Sequence, residues 1–266
     1  MRRPDTDRPL IFAHRGACLV APENTLPAFQ RAVDLGADGV ELDVQYSSDS
    51  QLVVIHNPSL DATTNGSGRV TSHTLEELRE LDAGSYFAPE FAGTLIPTLD
   101  EVLDLLEGKL IVNIEIKALE TTTAGIGVDT VNAVRAHNMQ HQVIISSFNP
   151  MALRRAKKAG PDIECAILLA PDLPGWTRSG LARRWSGADG LHPEAPMVDE
   201  AYMAQAKRQG LPVRVWTVND ETEMRRLAAL KVDAIITDAP DLLARVLQSP
   251  RPSGGGRPSS AGRRQG

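Results

Sequence analysis

The stretch Gly39-Val40-Glu41-Leu42-Asp43-Val44-Gln45-Tyr46-Ser47-Ser48-Asp49-Ser50-Gln51-Leu52-Val53-Val54-Ile55-His56 decides how the rest of the chain is read. Its first part, Gly39–Val44, is a short apolar, β-branched run and predicts a strand. Side chains alternate along a strand, so Glu41 and Asp43 share one face. A second such run, Leu52–His56, follows after only Ser48–Gln51. A parallel partner needs a crossover of about a dozen residues, so these two runs are predicted to pair antiparallel, as a hairpin. With the turn near Asp49-Ser50, Ser47 would face Leu52, Gln45 would face Val54, and Asp43 would face His56. The hairpin is thus expected to bring His56 beside Asp43.

Everywhere else, strands alternate with helices. Apolar runs lie at Leu10–Ala13, Gly39–Val44, Leu110–Ile116, Val143–Ser146, Ile163–Leu169, Gly190–Leu191, Val213–Val218 and Ala234–Thr237. Helical patterns lie near 25–35, 99–107, 122–137, 150–159, 175–185, 199–209, 220–229 and 239–247, with Asn219-Asp220 as a cap before the seventh. Eight strand–helix units predict an α/β chain folded as a parallel (β/α)8 TIM barrel over residues 8–248. Residues 57–97 form an insertion after the second strand. It contains the loop Thr63–Gly68 and a capping-box start at Thr74-Leu75-Glu76-Glu77. An insertion over a barrel mouth usually shapes the substrate pocket.

Bulk composition narrows the function. The 266 residues are 42% hydrophobic and can bury a full core without staples. Cys18 and Cys165 are far apart and show no metal-ligand spacing, so both are read as reduced thiols. No apolar run approaches the roughly 20 residues of a membrane span, and Leu10–Ala13 is too short for a signal-peptide core; the expected location is cytoplasmic. A net charge of −6 argues against nucleic acid as a partner. Residues 249–266 carry Arg251, Arg257, Arg263 and Arg264 and no acid, within Pro, Gly and Ser. They are expected to be a disordered tail, solvated or weakly attracted to an anionic surface.

Catalytic groups of such barrels sit at the C-terminal ends of the strands. Here those ends carry His14-Arg15, Glu41 and Asp43, Glu115 and Lys117, His192, and Trp216. Three converging carboxylates repel one another and are costly to bury ionised. A hard divalent cation, Mg²⁺ or Ca²⁺, answers both problems because it prefers carboxylate oxygen. Glu41, Asp43 and Glu115 are therefore the candidate ligands of one such ion. Two histidines beside the cluster, His14 and His56, suit a general acid–base pair near neutral pH. His56 could alternatively bind the metal. Arg15 and Lys117 are candidate phosphate-binding cations, or else partners of the acids. Trp216 either caps the core or stacks on substrate, and His192 is structural or a substrate contact. Gly16 would let the chain turn sharply after the first strand.

In this order, the motifs resemble the glycerophosphodiester phosphodiesterase family. The matching stretches include His14-Arg15-Gly16, Ala21-Pro22-Glu23-Asn24-Thr25, Gly36–Val44, Val54-Ile55-His56-Asn57, Thr63-Thr64-Asn65-Gly66, Ile114-Glu115-Ile116-Lys117, Val215–Asn219 and Ile236-Thr237-Asp238-Ala239-Pro240. The resemblance implies a phospholipase C-like phosphodiesterase barrel of the bacterial, cytoplasmic type, with a small inserted subdomain. It implies metal-dependent hydrolysis of a small-molecule glycerophosphodiester to sn-glycerol 3-phosphate and an alcohol. It also implies that Glu41, Asp43 and Glu115 bind Mg²⁺ or Ca²⁺, that His14 and His56 act as acid and base, and that Arg15 and Lys117 face the phosphate. Two positions depart from the family pattern: Asn57, where Asp is common, and Ala62, where Arg is common. A lysophospholipase D or phosphoinositide-type reaction is the alternative, and a non-catalytic phosphodiester-binding barrel is a third reading.

Overall fold

Short β-branched runs separated by amphipathic segments bury their strands best when each helix packs back over the sheet it leaves. The computed structural model describes residues 8–117, 125–178 and 180–248. The parallel barrel strands are β1 (Leu10–His14), β2 (Gly39–Tyr46), β4 (Ile111–Ile116), β5 (Val143–Ser147), β6 (Glu164–Leu169), β7 (Gly190–Pro193), β8 (Arg214–Val215) and β9 (Ala234–Thr237). The hairpin strand β3 (Leu52–Val54) pairs with β2. Hydrogen-bonded neighbours run β7-β6-β5-β4-β2-β1-β9-β8. The ring is completed at the β7–β8 seam by the parallel bridges Leu191↔Val213 and Glu194↔Trp216. Pro193 and Pro212 remove N–H donors on either side of that seam, which explains why it is bridged rather than continuously laddered.

Around the barrel lie α1 (Leu26–Asp34), α3 (Leu99–Leu106), α4 (Ile126–Ala136), α5 (Pro150–Ala159), α6 (Gly175–Arg178), α7 (Leu181–Ser186), α8 (Glu200–Arg208), α9 (Glu221–Ala229) and α10 (Pro240–Gln248). Alternation divides each strand between two cores. On β1, Leu10 and Phe12 join Ile144, Ala166, Ala234 and Ile236 inside the barrel. Ile11 and Ala13 face the helical shell instead. Each fully buried large apolar side chain stabilises by roughly 1.5–3 kcal/mol, so both faces are strongly specified.

The insertion, residues 57–97, packs Leu60, Val70, Leu78, Ala83 and Ile96 into a small core with Val53 of β3 and Ile55 just beyond it. Its helix α2 (Leu75–Arg79) starts in the expected capping box between Thr74 and Glu77, and α3 starts in a second one, Thr98 with Glu101. Asp220 caps α9 through the backbone N–H of Glu223.

Four expectations are corrected. The hairpin register is one residue off: Tyr46 faces Leu52, Gln45 faces Val53 and Val44 faces Val54. Ser47 belongs to the loop, because its hydroxyl donates to Asp49 (2.6 Å) and accepts from the Gln51 N–H (2.9 Å). The ladder also ends at Val54, not His56. The helix expected over 175–185 is two helices, α6 and α7, with Gly180 in the left-handed region (φ 81°) between them. The strand expected over Val213–Val218 is reduced to Arg214–Val215. The expected helix start at 122 lies outside the described residues, within which α4 begins at Ile126. The tail 249–266 lies outside the described residues.

Gly16 is required where it stands. Its φ is 82°, and a Cβ there would lie 2.7 Å from the Ala28 carbonyl carbon. Gly16→Ala is expected to lower stability by about 2 kcal/mol or more, from backbone strain and overpacking together. A chemical denaturation midpoint equal to wild type would contradict this.

Candidate active site

Parallel pairing of β2 with β4 sets Asp43 opposite Glu115 and Glu41 opposite Asn113. The three acids therefore converge at one end of the barrel, where a carboxylate oxygen from each lies within 4.8 Å of the others. All three are buried. Lys117 crosses the cluster, its Nζ 2.9 Å from Asp43 Oδ1 and 2.6 Å from Glu115 Oε1. Arg15 adds a second cation, with Nε 3.5 Å from Asp43 and Nη1 3.0 Å from Glu23.

Two cations do not balance three acids, and the imbalance falls on Glu41. Burial and then the Asp43 charge push the Glu41 carboxyl well above the usual carboxylate range. Burial also pushes against the ionised form of Asp43, but Lys117, His56 and Arg15 outweigh it and hold that carboxyl low. Glu115 is raised, chiefly by burial, against the opposing pull of Lys117. For Lys117, the loss on burial is outweighed by Asp43 and Glu115, so its ammonium is raised. An all-oxygen donor set with surplus negative charge fits a hard divalent cation, and Glu41, Asp43 and Glu115 are the residues that could hold it.

Both histidines stand beside this cluster. His14, at the end of β1, has Nδ1 2.6 Å from Asp238 Oδ1, and its Nε2 lies 3.8 Å from Glu41. Burial alone would lower its pKa, but the hydrogen bond to Asp238 and the Glu41 charge raise it above the ordinary value. His56 reaches the site by a different route from the predicted one. Beyond β3 the chain bends, and Gln45 Nε2 donates to the carbonyls of Ile55, His56 and Asn57 at 2.9, 3.0 and 2.9 Å. Its Nδ1 lies 3.1 Å from Asn57 Oδ1. Burial lowers the His56 pKa, and Asp43 only partly opposes it. One imidazole is thus held by a carboxylate and the other by a neutral amide.

Three supporting residues carried no signal of spacing. Asp238 holds His14 and is itself held by Asn219 Nδ2 at 2.5 Å. Asn24 donates to Asp43 Oδ2 (2.8 Å) and accepts the Asp43 N–H (3.2 Å). The β1–α1 turn that carries Asn24 puts it and Arg15 in the left-handed region, at φ 56° and 54°. Asparagine tolerates that conformation and arginine rarely adopts it. The strain coincides with an Arg15 N–H that donates to Glu41 at 3.2 Å.

A cavity of about 130 Å³ opens over these groups, lined by His14, Arg15, Glu41, His56, Glu115 and Lys117, with Phe148 and Trp216 among the rest. Trp216 stands edge-on to Phe148 at 5.5 Å, with Nε1 donating to the His192 carbonyl at 2.7 Å. His192 itself does not line this cavity. It is fully buried, and neither ring nitrogen has a hydrogen-bond partner among the described residues. Of the two roles expected for His192, its full burial away from this cavity favours the structural one over a substrate contact.

Known proteins resemble this chain in sequence and in fold. A glycerophosphodiester phosphodiesterase of Caldanaerobacter subterraneus subsp. tengcongensis is 41% identical over 245 residues, 90% of this chain and 98% of that one. One of Bacillus subtilis is 34% identical and covers 90% and 87% respectively. Among solved structures, an Oleispira antarctica phosphodiesterase in complex with the product sn-glycerol-3-phosphate superposes with a TM-score of 0.80 at 31% identity, covering 91% of this chain and 98% of that one. The model of the glycerophosphoryl diester phosphodiesterase family matches residues 14–242, and the chain belongs to that family.

Proposed function

We propose that this protein hydrolyses glycerophosphodiesters to sn-glycerol 3-phosphate and an alcohol, with a divalent cation and a histidine acid–base pair. The observation that carries the reading is one cavity lined by Glu41, Glu115, two histidines and two cations, with Asp43 within ligand distance of both acids. The neighbouring structure that holds sn-glycerol-3-phosphate supports the same product. When bound by Glu41, Asp43 and Glu115, the cation would supply charge to offset the phosphoryl oxygens. No helix among the described residues is long and apolar enough to cross a membrane.

The environments of the two histidines support distinct roles. His56 Nδ1–H donates to Asn57 Oδ1, which leaves Nε2 with its lone pair, and its lowered pKa keeps it neutral. It is the base that takes the proton from the attacking oxygen, that of water or of the glycerol 2-hydroxyl; in the second case water then opens the cyclic phosphate to give glycerol 3-phosphate. His14 is held at Nδ1 by Asp238, and its raised pKa favours the protonated ring. It is the acid that gives its Nε2 proton to the departing alkoxide. Arg15 and Lys117 counter the charge growing on phosphate.

A bell-shaped pH dependence of kcat/KM follows. Its acid limb belongs to His56, which must be deprotonated and titrates below 6.5. Its alkaline limb belongs to His14, which must be protonated and titrates above 6.5. Asp238→Asn removes the charge that stabilises the His14 imidazolium, so the alkaline limb should move to lower pH. Asn57→Asp adds a charge beside His56, so the acid limb should move to higher pH. Unmoved limbs in both variants would reverse or remove these assignments.

Product analysis by phosphorus NMR over a panel of diesters tests the reaction itself. Glycerophosphocholine should give glycerol 3-phosphate and choline; release of phosphocholine would refute the reading. Faster turnover of a lysophospholipid than of any soluble diester would favour the lysophospholipase D alternative.

A further inference from the structure

The chain is acidic overall, yet its basic residues are not evenly spread. Residues 150–161 and 173–188 contain no Asp or Glu, and they carry Arg154, Arg155, Lys158, Arg183 and Arg184, besides Lys157, whose Nζ lies 2.7 Å from Asp189 just beyond them. These segments are α5 and the α6–α7 pair, which pack side by side. Large apolar side chains stand out among the cations: Met151 is 46% exposed, Trp176 52%, Leu181 60% and Trp185 45%. Leu181 and Trp185 are four apart on α7 and share its outer face. Arg154 lies over the Trp185 ring at 4.8 Å and donates to its carbonyl at 2.5 Å, tying α5 to α7.

On the other side of α7, a cavity of about 340 Å³ opens towards α8. Arg183 and Arg184 line it together with Gln205 and Gln209. Tyr202 also lines it, beside apolar residues such as Leu169 and Leu191, and its buried hydroxyl has no hydrogen-bond partner among the described residues. Exposed tryptophans beside arginines are the composition of a surface that meets lipid headgroups, where the ring sits at the apolar boundary and the cation meets phosphate. Position agrees with this. Both α5 and α6 start just after the C-terminal ends of β5 and β6, the end of the barrel that carries the acid cluster.

We propose that the α5–α7 face docks on the anionic surface of a phospholipid bilayer, with the groove between α7 and α8 taking a lipid phosphate. The bilayer would hold the barrel mouth near diesters released from lipid. Docking stands apart from the chemistry, because none of these residues belongs to the cavity over the acids.

Co-sedimentation of the full chain with vesicles tests it. Vesicles of phosphatidylglycerol and phosphatidylcholine should bind the protein, while pure phosphatidylcholine should not, and salt should weaken the binding. Trp176→Ala with Trp185→Ala, and separately Arg155→Glu with Arg184→Glu, should each weaken it by about tenfold or more. Both pairs are exposed, and hydrolysis of soluble glycerophosphocholine should stay at the wild-type rate. Undiminished vesicle binding by both double variants would overturn the proposal, as would equal binding to uncharged vesicles. It would also fall if removal of residues 249–266 alone abolished binding, or if the tryptophan variant merely converted a dimer to a monomer. Failure here would leave the hydrolysis of soluble diester intact, which separates it from failure of the proposed reaction.

Discussion

Replacing His14 with alanine lowers kcat by about 10²- to 10⁴-fold, the usual contribution of a positioned general acid. The imidazole is the group in the cavity whose Nδ1 is fixed by a carboxylate, Asp238, while its Nε2 is turned to Glu41 and the space above it. Alanine removes the proton donor and leaves the acid cluster and both cations in place. The loss should therefore appear in kcat more than in KM, and should shrink for a diester whose leaving alcohol is acidic enough to depart unprotonated. A p-nitrophenyl diester of glycerol phosphate provides that comparison. Equal losses on both substrates would mean that His14 does not protonate the leaving group. A near-wild-type rate on glycerophosphocholine would remove it from the mechanism.

Substitution of Glu41 by glutamine should weaken the cation's affinity by roughly 100-fold or more. Lys117 already contacts Asp43 and Glu115, and Arg15 lies against Asp43. With Glu41 neutral, two acids face two cations, and little charge remains to attract a divalent ion. Wild-type turnover at limiting cation should be lost in the variant and partly restored at high cation concentration. Stability gives an independent readout. Because burial and Asp43 disfavour the ionised Glu41 carboxyl, the variant should melt higher than wild type in the presence of chelator. Identical cation titrations for the two proteins would contradict the assignment of Glu41 as a ligand.

Much of this architecture is written in local patterns. The eight strand–helix units follow from apolar runs and caps, and Thr74, Thr98 and Asp220 cap their helices as their side-chain chemistry requires. The acids also follow locally: period-two alternation fixes Glu41 and Asp43 on one face, and pairing of β2 with β4 brings Glu115 to them. What depends on closure of the ring was not legible. Asp238 meets His14 only because β9 lies beside β1, 224 residues apart in the chain, and no spacing announces that contact. Asn24 reaches Asp43 through a turn whose left-handed residues have no clear sequence signature beyond Gly16. The hairpin shows how a right conclusion can follow from a wrong register. Ser47 joined the loop through its own hydroxyl, which shifted every pair by one, and Gln45 brought His56 back by gathering three carbonyls. His192 carries two roles in the sequence, structural or substrate contact, because a strand-end residue can lie beneath the mouth as well as at it; its burial decides for the first.

The central claim is that the acid cluster holds a divalent cation on which cleavage of the diester depends. Purified protein, stripped with chelator and dialysed, should release no glycerol 3-phosphate from glycerophosphocholine. Addition of Mg²⁺ or Ca²⁺ alone should restore release, and the Glu41→Gln variant should need far more cation for the same rate. Full activity in the stripped protein, with no response to added cation, would contradict the account.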